Sequence, residues 1–193
     1  YALNNVRNII SVSLDPSCAF TMGDYALGGS IAQVYIGKHV VTLGEKRGEG
    51  EYSVFADCER LETITVDAAN TYYCSVDGVL FDKDMSRLVK YPAMKDGALY
   101  HVPEEVRVIA SMAFKDNKAL NNIVISSYIS AVGLEAFYNC SALRVIFFND
   151  VYAPGAIMEN AFTTNFNEPY TIIGYSEGFY DGGSGTNDIG WSK

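Results

Sequence analysis

The sequence predicts a repeat solenoid, rich in β-strand, with short helical or 3-10 turns and one inserted β-hairpin. Three observations predict it: an internal repeat without gaps at a spacing of 23 residues, apolar alternation at one fixed point of each repeat, and a break in the period between Val66 and Tyr100. The repeat is clearest in two adjacent segments. One carries Val102, Val106, Ile109, Ala113-Phe114, Leu120, Ile123 and Ile125. The next carries Ile125, Ile129, Val132, Ala136-Phe137, Leu143, Ile146 and Phe148, each in the matching position.

Each part of the repeat has a physical reading. In Leu-x-x-Ile-x-Ile the last two apolar residues alternate, as in a short half-buried strand. The Ala-Phe pair precedes polar turn residues, Lys115-Asp-Asn-Lys118 and Tyr138-Asn-Cys-Ser141, so it predicts one tight helical or 3-10 turn whose Phe fills the core. With so few residues between strands, each unit makes one coil, and stacked coils place equivalent strands ~4.8 Å apart in a parallel sheet.

Upstream, Ile10 and Val12 stand 24 residues before Val34 and Ile36 and predict one further strand. Phe20, Tyr25, Ile31, Val34 and Ile36 fit the second half of the template, with Tyr25 six residues before Ile31. Ile36, Val40 and Leu43 open the next copy, and Phe55, Leu61, Ile64 and Val66 close it. Seven extra residues separate these halves, within the polar, Gly-rich stretch Gly44 to Val54, as an inserted loop requires. Cys58, Asn117 and Cys140 each follow the Phe position by three and share one column. Cys58 and Cys140 are then at least two coils, ~10 Å, apart, beyond the ~7 Å Cα separation of a disulfide, and are predicted not to be bonded.

In the break, the β-rich runs Tyr72–Phe81 and Arg87–Tyr91 flank the polar turn Asp82–Ser86 and predict a hairpin, with Asp77-Gly78 as a turn or bulge before its first strand. It is expected to project from the solenoid or pad it. Ile157, Ala161-Phe162 and Ile172-Ile173 give a weak last copy. The predicted organisation is a solenoid over 1–175, with a degenerate cap over about 1–30 and a hairpin insert over about 67–99. A Gly-rich extension follows over 176–193. Degenerate outer copies are expected because terminal repeats face water.

The pattern Val102-Pro-x-x-Val106-x-x-Ile109-x-x-x-Ala113-Phe114-x-x-x-x-x-Leu120-x-x-Ile123-x-Ile125 resembles the BspA-like leucine-rich-repeat family of surface proteins. The likeness runs from about Ile31 to Phe148, with a weaker tail to Tyr175. Ser75–Phe81 and Leu88–Pro92 are similar to the hairpin often found between such repeats, and Ile172–Ser176 to the segment that often closes them. Ala110 and Ser126 depart from the usual Gly and Pro. The resemblance implies a leucine-rich-repeat solenoid, secreted or held on a cell surface, that binds rather than catalyses. Its implied partners are a protein or glycoprotein of host matrix or of another cell surface.

Composition narrows the function further. The chain has 193 residues, 49% of them hydrophobic, enough for a sizeable core. Fourteen Lys and Arg against 23 Asp and Glu give a net charge of -9, so no cationic surface for nucleic acid or anionic lipid can be assembled. No apolar run reaches the ~18 residues that span a bilayer, so no membrane insertion is expected. There is no cationic-then-apolar signal segment, and Tyr1 in place of Met leaves room for a leader or domain upstream.

Little chemistry is legible. His39 and His101 have no second ligand at useful spacing, and no cysteine pair is spaced as C-x-x-C, so no metal, cofactor or catalytic residue is expected. Glu104-Glu105 and Glu59/Glu62 are the only candidates for a glycosidase dyad and fall at outward positions. Asp181–Asp188 is like a single calcium-binding nonapeptide loop and reads instead as a tail; Asn139-Cys-Ser141 is a sequon inside a tight turn. What remains is a surface. Between the two inward residues of each strand lies one outward residue: Tyr35, Thr65, His101, Val124 and Phe147. Stacking is expected to align these five as a partly apolar, partner-binding column. The expected function is an adhesin-like interaction module; the alternatives are a structural spacer or targeting domain of a larger surface protein and, more remotely, a glycan hydrolase. An exposed end coil also offers an edge for self-association, which the sequence leaves open.

Overall fold

The computed structural model describes residues 3, 8–44, 46–47, 50–51, 53–126, 128–149, 156–157, 161 and 171–175. Among these the chain forms strands and turns and no helix. The strands of the first half are β1 (Ser11–Leu14), β2 (Phe20–Met22), β3 (Gln33–Ile36), β4 (Val40–Leu43), β5 (Lys46–Arg47), β6 (Gly50–Glu51), β7 (Thr63–Val66), β8 (Tyr73–Val76) and β9 (Val79–Asp82). Those of the second half are β10 (Arg87–Lys90), β11 (Leu99–His101), β12 (Val108–Ile109), β13 (Asn122–Ser126), β14 (Ala131–Val132), β15 (Val145–Asn149), β16 (Ala156–Ile157) and β17 (Thr171–Tyr175).

Parallel ladders on two faces make this a solenoid. The first face carries β1-β3-β7 and β11-β13-β15-β17; the second carries β2-β4 and β10-β12-β14-β16. The register steps by 23 residues from Leu99 to Asn122 and from Asn122 to Val145, the period read in the sequence. It steps by 30 from Gln33 to Thr63, the period plus the seven-residue insertion, whose β5 and β6 pair as a small antiparallel ribbon. The last copy is also a coil: Val145 pairs with Thr171 and Val132 with Ile157.

Two expectations about the first coils are corrected. β1 exists, but Val12 pairs with Val34 and Leu14 with Ile36, a step of 22 rather than 24. A two-residue slip keeps the same residues facing inward. It brings Val12 and Leu14 against the core and leaves Ile10 65% exposed. The Phe position of this coil is filled by Leu27, not by Tyr25. Phe114 N–H donates to Ala136 C=O (2.7 Å) and Phe137 N–H to Ala161 C=O (2.8 Å); by the same pattern Leu27 N–H donates to Val54 C=O (3.2 Å). Leu27 is fully buried, while Tyr25 is half-buried with φ 53°. The turn from Leu27 to Ile31 is two residues shorter than the template, which moves the core position along the chain.

The expected helical turns are also different in kind. Around Phe137 the bonds Ala136 N–H to Gly133 C=O, Tyr138 N–H to Glu135 C=O and Cys140 N–H to Phe137 C=O each close a turn of three residues. Left-handed residues at Glu135 (φ 52°) and Asn139 (φ 58°) interrupt them, as Met112 (φ 58°) and Asp116 (φ 68°) do one coil earlier. A backbone that switches hand every few residues cannot propagate a helix. The aromatic rings these turns deliver stack through the core: Tyr91 on Phe114 at 5.0 Å and Phe114 on Phe137 at 4.8 Å. Such pairs contribute ~0.5–1.5 kcal/mol beyond the area they bury.

The insert is a three-stranded meander, not a two-stranded hairpin. β8 pairs antiparallel with β9, and β9 with β10. Asp77 (φ 49°) and Gly78 (φ 77°) form the two-residue connection between β8 and β9, where a positive φ at both central residues matches the strand twist. A Cβ at Gly78 would also lie 2.7 Å from Thr63 Oγ1. Nor does the meander stand apart from the solenoid: β10 pairs parallel with β12, and Tyr91 takes the Phe position of this coil by donating its N–H to Ala113 C=O (2.8 Å). Val79, Leu80 and Phe81 are all buried, as in a strand covered on both faces. The core is accordingly in two parts, one built on Leu27, Ile31, Val34, Phe55 and Ile64, the other on Phe114, Ile123, Ile125, Phe137 and Ile146. All four cysteines are free; Cys58 and Cys140 are buried in their shared column.

Candidate interaction surface

The outward residues of the first face follow from the register. Ser13, Tyr35 and Thr65 are cross-strand neighbours in one sheet. His101, Val124 and Phe147 are neighbours in the other. The expected column of five therefore exists as two rows, and Thr65 does not stack on His101. The cause is the meander. Ile64 N–H donates to Gly78 C=O (3.0 Å) and Val66 N–H to Ser75 Oγ (3.1 Å), so the edge of β7 is occupied by β8 and the β8–β9 connection instead of β11.

The two rows differ in chemistry. The first is polar. Tyr35 Oη donates to Asp67 Oδ2 at 2.8 Å, which raises the tyrosine pKa. The Asp67 carboxyl is held below its ordinary range by the Ala69 N–H first and the Tyr35 hydroxyl second. Thr65 is exposed beside them. The second row is mostly apolar: Val124 and Phe147 are half-buried and His101 is exposed. The column beside it runs Leu99, Asn122, Val145.

Sequence reasoning missed what stands at the break between the sheets. Val76 is 49% exposed, Met94 51% and Leu99 51%. Lys95 Nζ lies 2.9 Å from Asp77 Oδ2 and ties the segment carrying Met94 to the connection carrying Val76. No periodicity announced these residues, because they belong to the stretch where the period fails.

Elsewhere the titratable groups are scattered or shut away. Glu59, Glu62, Glu104 and Glu105 are all exposed. His39 Nδ1 lies 2.8 Å from Pro16 C=O, a contact between coil turns. Burial pushes the Cys58 and Cys140 thiols up to about 12, which leaves almost no thiolate at neutral pH. Among the described residues, no group of three or more His, Cys, Asp or Glu could hold a metal ion. Asn139 of the sequon donates from its side chain to Asp116 Oδ1 in the equivalent turn of the preceding coil. The Asp181–Asp188 run lies outside the described residues, as does the whole extension 176–193.

One buried group is a lysine. Lys90 ends β10 two residues after Leu88, on the face that alternation turns inward, and it is fully buried. Its Nζ donates to Met112 C=O (3.1 Å) and Lys115 C=O (3.4 Å), and burial pulls its pKa down to about 8.

Comparison with known proteins adds to this geometry. Residues 99–176 match the family model described as a BspA type leucine rich repeat region, in six copies. No curated protein matches the chain. Among solved structures, a leucine rich cell surface protein of Faecalibacterium prausnitzii A2-165 is similar with a TM-score of 0.60 and 22% identity, over 74% of this chain and 42% of that one. A leucine-rich repeat protein of Eubacterium ventriosum is similar with a TM-score of 0.57 and 22% identity, over 72% of this chain and 42% of that one. The pneumococcal vaccine antigen PcpA is similar with a TM-score of 0.54 and 22% identity, over 72% and 41%. At this identity the likeness is one of fold, and this chain spans less than half the length of each of these proteins.

Proposed function

We propose, from the match of residues 99–176 to the BspA type leucine rich repeat family model, that the chain is a non-catalytic, secreted or cell-surface module that binds a macromolecular partner. The partner class is a protein or glycoprotein of host matrix or of another cell. The observation that carries this reading is the outward face of the second sheet, where Val124 and Phe147 stack in one row beside the exposed Leu99. Half-buried apolar side chains in a row beside an exposed one leave apolar area on the sheet face, and exposed apolar patches recur at partner sites. The structurally similar proteins support the setting: one is a cell surface protein and another a vaccine antigen.

The test is biolayer interferometry of the purified chain against fibronectin, fibrinogen, laminin and mucin, run beside Phe147→Asp. Saturable binding to one of them, weakened by the substitution, supports the proposal. No binding to any of them, with the protein folded, moves the reading to a structural spacer within a longer surface protein.

A further inference from the structure

The chemistry left open at the break between the sheets specifies the kind of partner. β11 is an edge strand of its sheet. Asn122 N–H donates to Ala98 C=O (2.8 Å) and Val102 N–H to Val124 C=O (2.9 Å) on the side of β13. Backbone groups alternate in direction along a strand, so the N–H and C=O of Leu99 and of His101 point to the opposite edge. Among the described residues no hydrogen bond reaches them there. The facing edge of β7 is different, since its Ile64 and Val66 N–H groups are taken up by Gly78 and Ser75. The solenoid is thus closed on one side of the break and open on the other.

We propose that the open edge of β11 binds an extended peptide segment of a partner protein as an added strand. Two donors and two acceptors in alternation are matched by another extended backbone, which offers the same groups at the same spacing. A side chain or a sugar can satisfy one of them but not the series. A strand laid along Leu99–His101 places every second side chain on the outward face. There it meets Leu99; Met94 and Val76, next in sequence to the paired Lys95 and Asp77, are the other exposed apolar residues of the break. The recognised segment therefore carries apolar residues at alternate positions and no proline at the positions that donate to β11. This inference rests on the chain being an interaction module and names the class of its partner.

The probe is a phage-displayed library of random short peptides, selected on the whole chain, with the enriched peptides then synthesised. The expected result is protection of the Leu99 and His101 amides from hydrogen exchange on binding, and binding about tenfold weaker to His101→Pro, which removes one outward donor. A peptide N-methylated at alternate residues gives the same loss on the wild-type chain and needs no variant to fold. Enriched peptides that leave both amides unprotected, or no enrichment over bare carrier, would overturn the proposal. A matrix protein that binds through Phe147 while no peptide protects β11 keeps the surface reading and overturns only the added strand.

Discussion

Leu80 and Phe81 are consecutive residues of β9, and they pack into different hydrophobic cores. Leu80 belongs with Ile31, Ile36 and Ile64; Phe81 belongs with Leu88, Tyr91 and Phe114. Successive side chains of a strand point to opposite faces, so this one strand is a wall with a core on each side. The meander is what divides the first face into two sheets and the outward column into two rows.

Truncating either side of the wall should therefore loosen one half first. Leu80→Ala and Phe81→Ala are each expected to cost ~2–5 kcal/mol, the usual range for emptying a packed core site. Native-state hydrogen exchange separates them: Leu80→Ala should lower protection at Val34 and Ile64, and Phe81→Ala at Ile123 and Ile146. Equal loss in both halves from either variant would show that the cores act as one.

Coil spacing predicts a second site. A Cβ on Gly133 would stand 2.4 Å from Ser111 N and 2.8 Å from Ala110 C, both backbone atoms of the preceding coil. Backbone cannot step aside as a side chain can. Gly133→Ala is expected to destabilise by ~1–3 kcal/mol, the cost of overpacking, seen as a lower midpoint in denaturant. An unchanged midpoint would mean that the coils are further apart than described.

Thiol reactivity should follow burial. Cys18 is exposed, while Cys58 and Cys140 are buried with thiols pushed up to about 12. In Ellman titration near neutral pH, Cys18 should react at once and Cys58 and Cys140 only on unfolding. The sign for stability is a loss on raising pH. Their folded pKa lies above the ordinary 9.0, so their contribution is full below pH 9 and fades as pH rises toward 12.

Lys90 has the opposite sign. Its pKa falls from 10.5 to about 8 on folding, so above pH 8 the folded chain gives up a proton that the unfolded chain keeps. Stability from this group rises between pH 8 and 10.5 and is lost as pH falls through 8. Because Cys58 and Cys140 both interact with Lys90, wild type and Lys90→Met are compared at each pH in a background with both cysteines replaced by Ala. The stability difference should move in favour of wild type across that window, and a flat difference would mean that Lys90 is solvated.

The repeat itself was legible because each coil must present the same inward residues at the same interval; the register of β11, β13 and β15 matches the spacing of 23 directly. Sequence spacing failed where local length changes. A turn two residues shorter put Leu27 in place of Tyr25, and β1 slipped by two because either register buries alternate apolar residues. The meander was half legible: its β-rich runs were plain, but Val79, Leu80 and Phe81 read as a single run, and no pattern tells which core each one enters. Tyr35, Thr65, His101, Val124 and Phe147 each alternate with a more buried neighbour, as the spacing implied. Their division into a polar and an apolar row depended on which strand lies beside β7, a long-range pairing that spacing does not contain.

The most direct test of the account sets the two rows against each other. Phe147→Asp and Thr65→Asp place the same charge at equivalent outward positions of the two sheets, and each is measured for binding to whichever matrix ligand wild type captures. The account predicts binding weakened by about tenfold or more for Phe147→Asp, a loss of ~1.4 kcal/mol, and unchanged for Thr65→Asp. Equal losses, or a loss confined to Thr65→Asp, would contradict it.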